Sequence, residues 1–212
     1  MLSSINFNQA IQYIIILLIA IDLHELAHAV VATKLGDPTP ARNGQLSLNP
    51  FVHMDQFGVL LLVVTSLFGT PFTWGRTFVQ PQNLKFGPQR GGALVAMAGP
   101  LTNLALAVVI GLFLRFDASA LPVNWLTFAY YAFVINLILF ALNLLPIPPL
   151  DGFTIVTGAL TPRQMYAIAP IRQYGPLVLL LIILVPSILC DTVYRLVDYI
   201  GPLILPGFFP IC

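Results

Sequence analysis

The chain has 212 residues, of which 58% are hydrophobic and only 8% are Asp, Glu, Lys or Arg, with a formal net charge of +1. Soluble domains carry about 25% charged residues, so an ordinary soluble protein is excluded, and nine scattered Lys and Arg make no basic face for nucleic acid. Uncharged stretches at 1–21, 56–75, 91–114, 118–150 and 173–190 supply runs of the roughly 20 apolar residues that a membrane span needs.

The first helix is expected from about Gln9 to Leu35, stopped by Gly36-Asp37-Pro38. No Lys or Arg precedes its apolar run, which argues for a permanent helix rather than a cleaved leader. Residues 40–56 and 71–90 mix Gly, Pro, Asn and Ser with β-branched and aromatic residues and are read as loops that leave room for short strands. Between them, 57–70 is apolar but only 14 residues long before Pro71, short for a span and expected to re-enter or lie at the interface. Clean helices follow at about 91–113 and 125–145, the second broken by Pro146, Pro148 and Pro149. A last helix is expected over 174–200 with a kink near Pro186. The fold class is therefore all-α and polytopic, with about four spans in one membrane-embedded domain over 1–212, its core at 9–153. Cys190 and Cys212 suggest neither a ligand pair nor a disulfide framework.

The first helix carries His24-Glu25-Leu26-Ala27-His28. Residues four apart on a helix lie about 40° apart and one turn above each other, so both imidazoles can face one ion, with Glu25 beside them to act on water. This is the H-E-x-x-H spacing of zinc hydrolases, two ligands and a general base. By chance the pattern is common in soluble helices. Within a membrane helix each charged group costs at least about 2.5 kcal/mol on insertion scales, so a metal site is favoured.

A catalytic zinc usually takes three protein ligands, and Asp22, His53, Asp55 and Asp151 are the candidates. Asp22 lies about 200° from His24 around the helix and about 60° from Glu25, whose protonation it is placed to influence instead. Asp151 ends Asn143-Leu-Leu-Pro-Ile-Pro-Pro-Leu-Asp151-Gly152, an interrupted backbone of the kind tolerated at membrane depth where it lines a watered site, and it is preferred. Asn103, among small residues, reads as helix packing through one interhelical hydrogen bond or, more sharply, as lining the site's entrance. Asn136, two turns before Asn143, reads as polar lining or helix glue, and His53 as a loop anchor ahead of a ligand.

Taken together, His24-Glu25-x-x-His28, Ala98-Gly99-Pro100-Leu101-Thr102-Asn103 and the run from Asn143 to Gly152 resemble the site-2 protease family of intramembrane zinc metalloproteases. Asn49-Pro50-Phe-Val-His53-Met-Asp55-Gln-Phe-Gly58 and Lys34-Leu-Gly36-Asp37-Pro38 are similar to segments of its short branch, which lacks PDZ and CBS modules. The resemblance implies one Zn²⁺ per chain on His24, His28 and Asp151, Glu25 as catalytic base, and Asn143 holding or polarising the scissile carbonyl. It also implies that the partner is a transmembrane segment of a membrane-protein substrate, within a lipid bilayer; oligomeric state is left open. Two departures are local: the family often has Gly-Trp-Ala-Lys-Pro-Val where this chain has Thr73-Trp74-Gly75-Arg76-Thr77-Phe78-Val79, and the proline expected within the run after Gly58 is absent.

Bringing His24 and Asp151 together requires the first helix and the 125–145 helix to run parallel, hence 57–70 not to cross. Lys34, Arg42, Arg76, Lys85, Arg90, Arg163 and Arg172 then share one side, against Arg115 on the other. Lys and Arg favour the cytoplasm. The expectation is a multi-pass protein of a prokaryotic cytoplasmic membrane, N-terminus outside and site nearer the cytoplasmic face, acting as an intramembrane endopeptidase. The alternative is a non-catalytic metal-binding or substrate-binding regulator.

Overall fold

The structure, a computed structural model, describes residues 7–67, 73–116 and 121–212. Three helices are long and apolar enough to cross a membrane: α1 (Phe7–Lys34), α4 (Gly87–Phe116) and α5 (Val123–Asn143). At 1.5 Å per residue even α5 reaches about 32 Å, against a hydrocarbon core of about 30 Å. A bent pair, Pro170–Ile182 and Ser187–Ile204, joins at 103° and supplies a fourth span if counted as one. Shorter helices complete the chain: α2 (Thr39–Arg42), α3 (Gln56–Leu67) and α6 (Asp151–Thr157). The last pieces are α7 (Pro162–Leu184), α8 (Pro186–Leu189), a π-helical turn (Cys190–Tyr194) and α9 (Arg195–Ile204). This is an all-α, multi-pass membrane protein.

Helix directions follow from which residues meet. His28 bonds to Val95 and Asn103 to Ala20, so α1 and α4 are antiparallel. Asn103 bonds to Asn136, and Gly111 packs on Phe133, so α4 and α5 are antiparallel too. Thus α1 and α5 run parallel. The short α3 makes this possible: Thr73 Oγ1, beyond its C-terminal end, donates to Gly58 O at its start (2.8 Å), and Arg76 N donates to His53 O (2.7 Å). The chain leaves α3 on the side where it entered, so α3 does not carry it across; residues 68–70 of the sequence expectation lie outside the described residues. Leu62 of α3 packs in the core with Tyr13, Ile16, Leu17 and Ala20 of α1.

Three expectations need correction. Among the described residues, 40–56 and 73–90 contain no strand. Residues 73–80 are extended, yet they pair with side chains and single carbonyls instead of a second strand. The last helix starts at Pro162 rather than at 174, protected by a Thr161 capping box with Gln164, and it breaks at Val185 before Pro186. Cys190 and Cys212 are disulfide-bonded, with Cα atoms 5.9 Å apart. The 22-residue spacing gave no sign of it. The pairing needs the tail to turn back on α9, where Asp198 accepts from the main-chain N–H of Ile211 and Cys212 and Phe208 packs over Gly201, Tyr130 and Phe133.

Candidate metal centre

His24 and His28 leave one face of α1, a turn apart, and meet Asp151, the first residue of α6. Their ligand atoms lie within 4.8 Å of one another. His24 Nε2 and His28 Nε2 are 3.1 Å apart, and Asp151 Oδ2 is 3.1 Å from the first and 3.3 Å from the second.

The proton positions follow from the atoms behind the rings. His24 Nδ1 lies 2.6 Å from Asn103 Oδ1 and His28 Nδ1 lies 2.7 Å from the carbonyl of Val95. Both partners are acceptors, so each Nδ1 carries the hydrogen and each Nε2 is a bare lone pair. The amide of Asn103 is oriented in turn: its Nδ2 donates to Ala20 O and to Asn136 Oδ1, while Asn136 Nδ2 donates to Ala132 O. Two lone pairs and a carboxylate oxygen therefore converge. Asp151 Oδ2 is buried with no hydrogen-bond donor of its own. Such a set repels itself unless a cation sits among it, and two imidazoles plus a carboxylate suit zinc in its hydrolytic form. The residues present fit the ion that the sequence implies.

Absent side chains matter as much as present ones. A Cβ on Gly99 would overlap Nε2 of both histidines, so only glycine lets α4 pass behind the pair. Val95, Gly99 and Asn103 are spaced by four and form one face of α4, each serving the centre in a different way. A Cβ on Gly152 would strike the carbonyls of Leu144 and Leu145, so its absence lets α6 start against the end of α5 and presents Asp151.

Glu25 is buried beside the ligands. Its Oε2 and its main-chain oxygen accept from Thr77 Oγ1 at 2.7 and 3.0 Å. A Cβ on Gly75 would lie 2.5 Å from Glu25 Cγ. The extended segment 73–80 thus runs directly across the carboxylate. Arg76, Phe78 and Gln80 are pinned to the scaffold. Arg76 N donates to His53 O, Gln45 Nε2 donates to Arg76 O, Phe78 N donates to Gln45 Oε1, and Gln80 N donates to Asp37 Oδ2. The main-chain groups of Gly75, Thr77 and Val79 have no hydrogen-bond partner among the described residues. All three residues line a cavity of about 750 Å³ that also contains His24, Glu25, His28, Asn143 and Asp151. Most of the remaining wall is apolar, from α4, α5 and α7.

Asn143 stands on the cavity wall, with Nδ2 donating to Leu139 O at 3.0 Å, and keeps its carbonyl oxygen and a second N–H hydrogen for other partners. Asn103 does not line the cavity; it is fully buried behind His24. The entrance reading for it is therefore replaced, because the α1–α4 contact turns its amide to the ring nitrogen. Asn136 supports Asn103 one layer deeper. Asp22 faces His53 rather than Glu25, with its Oδ1 3.7 Å from His53 Nε2, which also lies 3.2 Å from Ser47 O. Neither Asp22 nor His53 belongs to the ligand cluster or the cavity wall. Asp55 reaches the wall but caps Gly58 N at 2.8 Å. Sequence reading missed Thr77, Gly75, Gln45, Gly99 and the Val95 carbonyl. Only the spacing of 95, 99 and 103 on one helix face offered a signal for any of them.

Comparison with known proteins gives a consistent picture. The model for peptidase family M50 matches residues 115–185, which include the Asn143–Asp151 run. A Bacillus subtilis (strain 168) protein named "Putative zinc metalloprotease YwhC" is 38% identical over 183 residues, 82% of this chain and 80% of that protein. Rip2 of Mycolicibacterium smegmatis, under the same description, is 34% identical over 191 residues (87% and 72% of the two chains). MJ0611 of Methanocaldococcus jannaschii, again so described, is 33% identical over 150 residues (68% and 71%). No solved structure gives a significant match.

Proposed function

This chain belongs to peptidase family M50, and from that footing we propose that it is an intramembrane zinc endopeptidase that cuts transmembrane segments of other membrane proteins. The observation that carries the reading is the convergence of His24 Nε2, His28 Nε2 and Asp151 Oδ2 beside the buried Glu25 carboxylate, in a cavity walled by membrane helices. His24, His28 and Asp151 would hold one zinc ion. When bound, zinc supplies Lewis acidity for the scissile carbonyl and for water.

The chain's own residues do the rest. Glu25 accepts a proton from water as the water oxygen bonds to the scissile carbon, and returns it to the amine nitrogen as the C–N bond breaks. Asn143, with an N–H to spare, donates to the substrate carbonyl or to the developing oxyanion. The tautomer lock from Asn103 and Val95 keeps both imidazoles facing the reaction.

A peptide bond inside a helix has its carbonyl engaged, so the substrate must be extended where it is cut. The unpartnered main-chain edge of Gly75, Thr77 and Val79 offers such a segment backbone hydrogen bonds, the mode by which strands are added to open edges. The apolar cavity wall suits its side chains. For orientation, the cationic residues Lys34, Arg42, Arg76, Lys85 and Arg90 lie at the metal-centre end of α1 and α4. The disulfide-closed tail packs on the other half of α5. Both favour a centre nearer the cytoplasmic face, since Lys and Arg collect there and disulfides persist on the oxidising side.

The test uses detergent-solubilised full chain and its Glu25→Gln and Asp151→Ala variants, measuring zinc per chain and cleavage of a panel of transmembrane peptides. One zinc in the wild type and in Glu25→Gln, cleavage only in the wild type, and zinc loss in Asp151→Ala are expected. Full cleavage by Glu25→Gln, or zinc retained by Asp151→Ala, refutes the assignment.

A further inference from the structure

The extended segment across the site approaches α1 through two residues of opposite character, and each leaves a mark on the same carboxylate. Arg76 and Phe78 meet each other, the guanidinium lying over the ring at 4.5 Å. Gly75 and Thr77 both meet Glu25. Gly75 contributes no side chain, which allows the backbone to approach Glu25 closely, and Thr77 contributes a hydroxyl 2.7 Å from Glu25 Oε2.

From this geometry we propose that Thr77 is a positioning residue for Glu25, its hydroxyl holding Oε2 so that Oε1 is the oxygen left to exchange protons with water and the leaving nitrogen. The role rests on the reading of Glu25 as the base. A hydroxyl has one hydrogen, and the carboxylate at 2.7 Å is a shorter and stronger acceptor than the Glu25 carbonyl at 3.0 Å. The bond fixes the outer torsion of a flexible side chain. Ordering a flexible glutamate side chain costs rotamer freedom, and the tether meets that cost before substrate arrives. Thr77 is itself held in place: Arg76 and Phe78, on either side of it, are pinned by His53 O and by both ends of the Gln45 amide, which is buried. Gln45 thereby stands in for a neighbouring strand.

Glu25 is the sole glutamate in the sequence, which gives the proposal a reporter of its own. Full-length protein made by cell-free synthesis with glutamate ¹³C-labelled at the side-chain carboxyl, in detergent, shows one isotope-edited infrared carboxylate band, and that band reads Glu25 with or without substrate. Thr77→Val, near-isosteric and without the donor, is expected to shift the band, and Thr77→Ser to restore it, with zinc per chain unchanged in both. On a transmembrane peptide that the wild type cleaves, Thr77→Val lowers kcat by about 10–100-fold, the scale of a misplaced catalytic group, with KM held, and Thr77→Ser recovers it. A band unmoved in Thr77→Val overturns the tether. A shifted band with kcat unchanged overturns the positioning role. A wild type that holds no zinc and cleaves nothing overturns the peptidase reading, and the role with it, independently of what the band reports.

Discussion

Replacing Asn103 by leucine tests the centre at a residue that touches no substrate and no ion. The side chain is fully buried and makes three contacts: it accepts from His24 Nδ1 at 2.6 Å and donates to Asn136 Oδ1 at 3.0 Å and to Ala20 O at 3.3 Å. Leucine keeps the branching and the number of side-chain heavy atoms but is bulkier and cannot hydrogen-bond, so all three hydrogen bonds are lost and the α1–α4 contact must give slightly. His24 Nδ1–H is then buried without an acceptor, a penalty of about 1–3 kcal/mol. It can be avoided by turning the ring or moving the hydrogen to Nε2, and either change removes the lone pair that faces His28 and Asp151. Loss of such an outer partner lowers metal affinity by about 10–100-fold, or roughly 1.4–2.7 kcal/mol at 1.4 kcal/mol per tenfold. The interhelical Asn103–Asn136 bond is worth about 0.6–2 kcal/mol of helix packing by itself, so thermal stability falls as well. Zinc affinity, measured by competition with a chromophoric chelator in detergent, separates the two effects. Asn103→Leu is expected to lose zinc affinity relative to wild type. Equal affinity in wild type and Asn103→Leu would refute the tautomer argument.

Gly99→Ala is expected to remove zinc almost completely while the helices stay folded, because the new methyl overlaps both Nε2 atoms; near-stoichiometric zinc in that variant would show that α4 can retreat. At Asp37, burial pushes the carboxyl up, but hydrogen bonds from Thr39 Oγ1 and N, Gln80 N and Asn83 Nδ2 together hold it below the ordinary carboxylate value. Its contribution is therefore complete above the unfolded value of about 3.9 and is lost as pH falls through the lower folded value. Amide exchange at 76–83 should accelerate in that acid range in wild type, and in Asp37→Asn should be fast at neutral pH with little further acid response. For topology, single cysteines at Arg42 and Arg163, introduced without disturbing the native disulfide, should be labelled from the same side by an impermeant reagent, and opposite labelling would show that α3 crosses.

What the sequence determined by itself was whatever depends on spacing along one element. The i,i+4 placement of His24 and His28 and the adjacency of Glu25 are consequences of helix pitch, and uncharged runs of span length report the membrane directly. The short apolar run at 57–70 and the chemistry of the ligand set also pointed to a parallel α1 and α5 and to Asp151. Only the tertiary structure decided which atoms stand behind those ligands. That Asn103 faces His24 instead of the entrance, that Asp22 turns to His53, and that a carbonyl of Val95 sets the tautomer of His28 are facts about helix rotation and approach. Residues 73–80 carried strand-like composition without a strand partner, because their partners are a buried amide, a carboxylate and one carbonyl from distant loops. The disulfide was likewise invisible, since it depends on the tail folding back over α9. Local periodicity fixes which side chains share a face; which neighbour that face meets is fixed by packing between segments remote in sequence, and it is there that hydrogen-bond acceptors for the metal ligands are found.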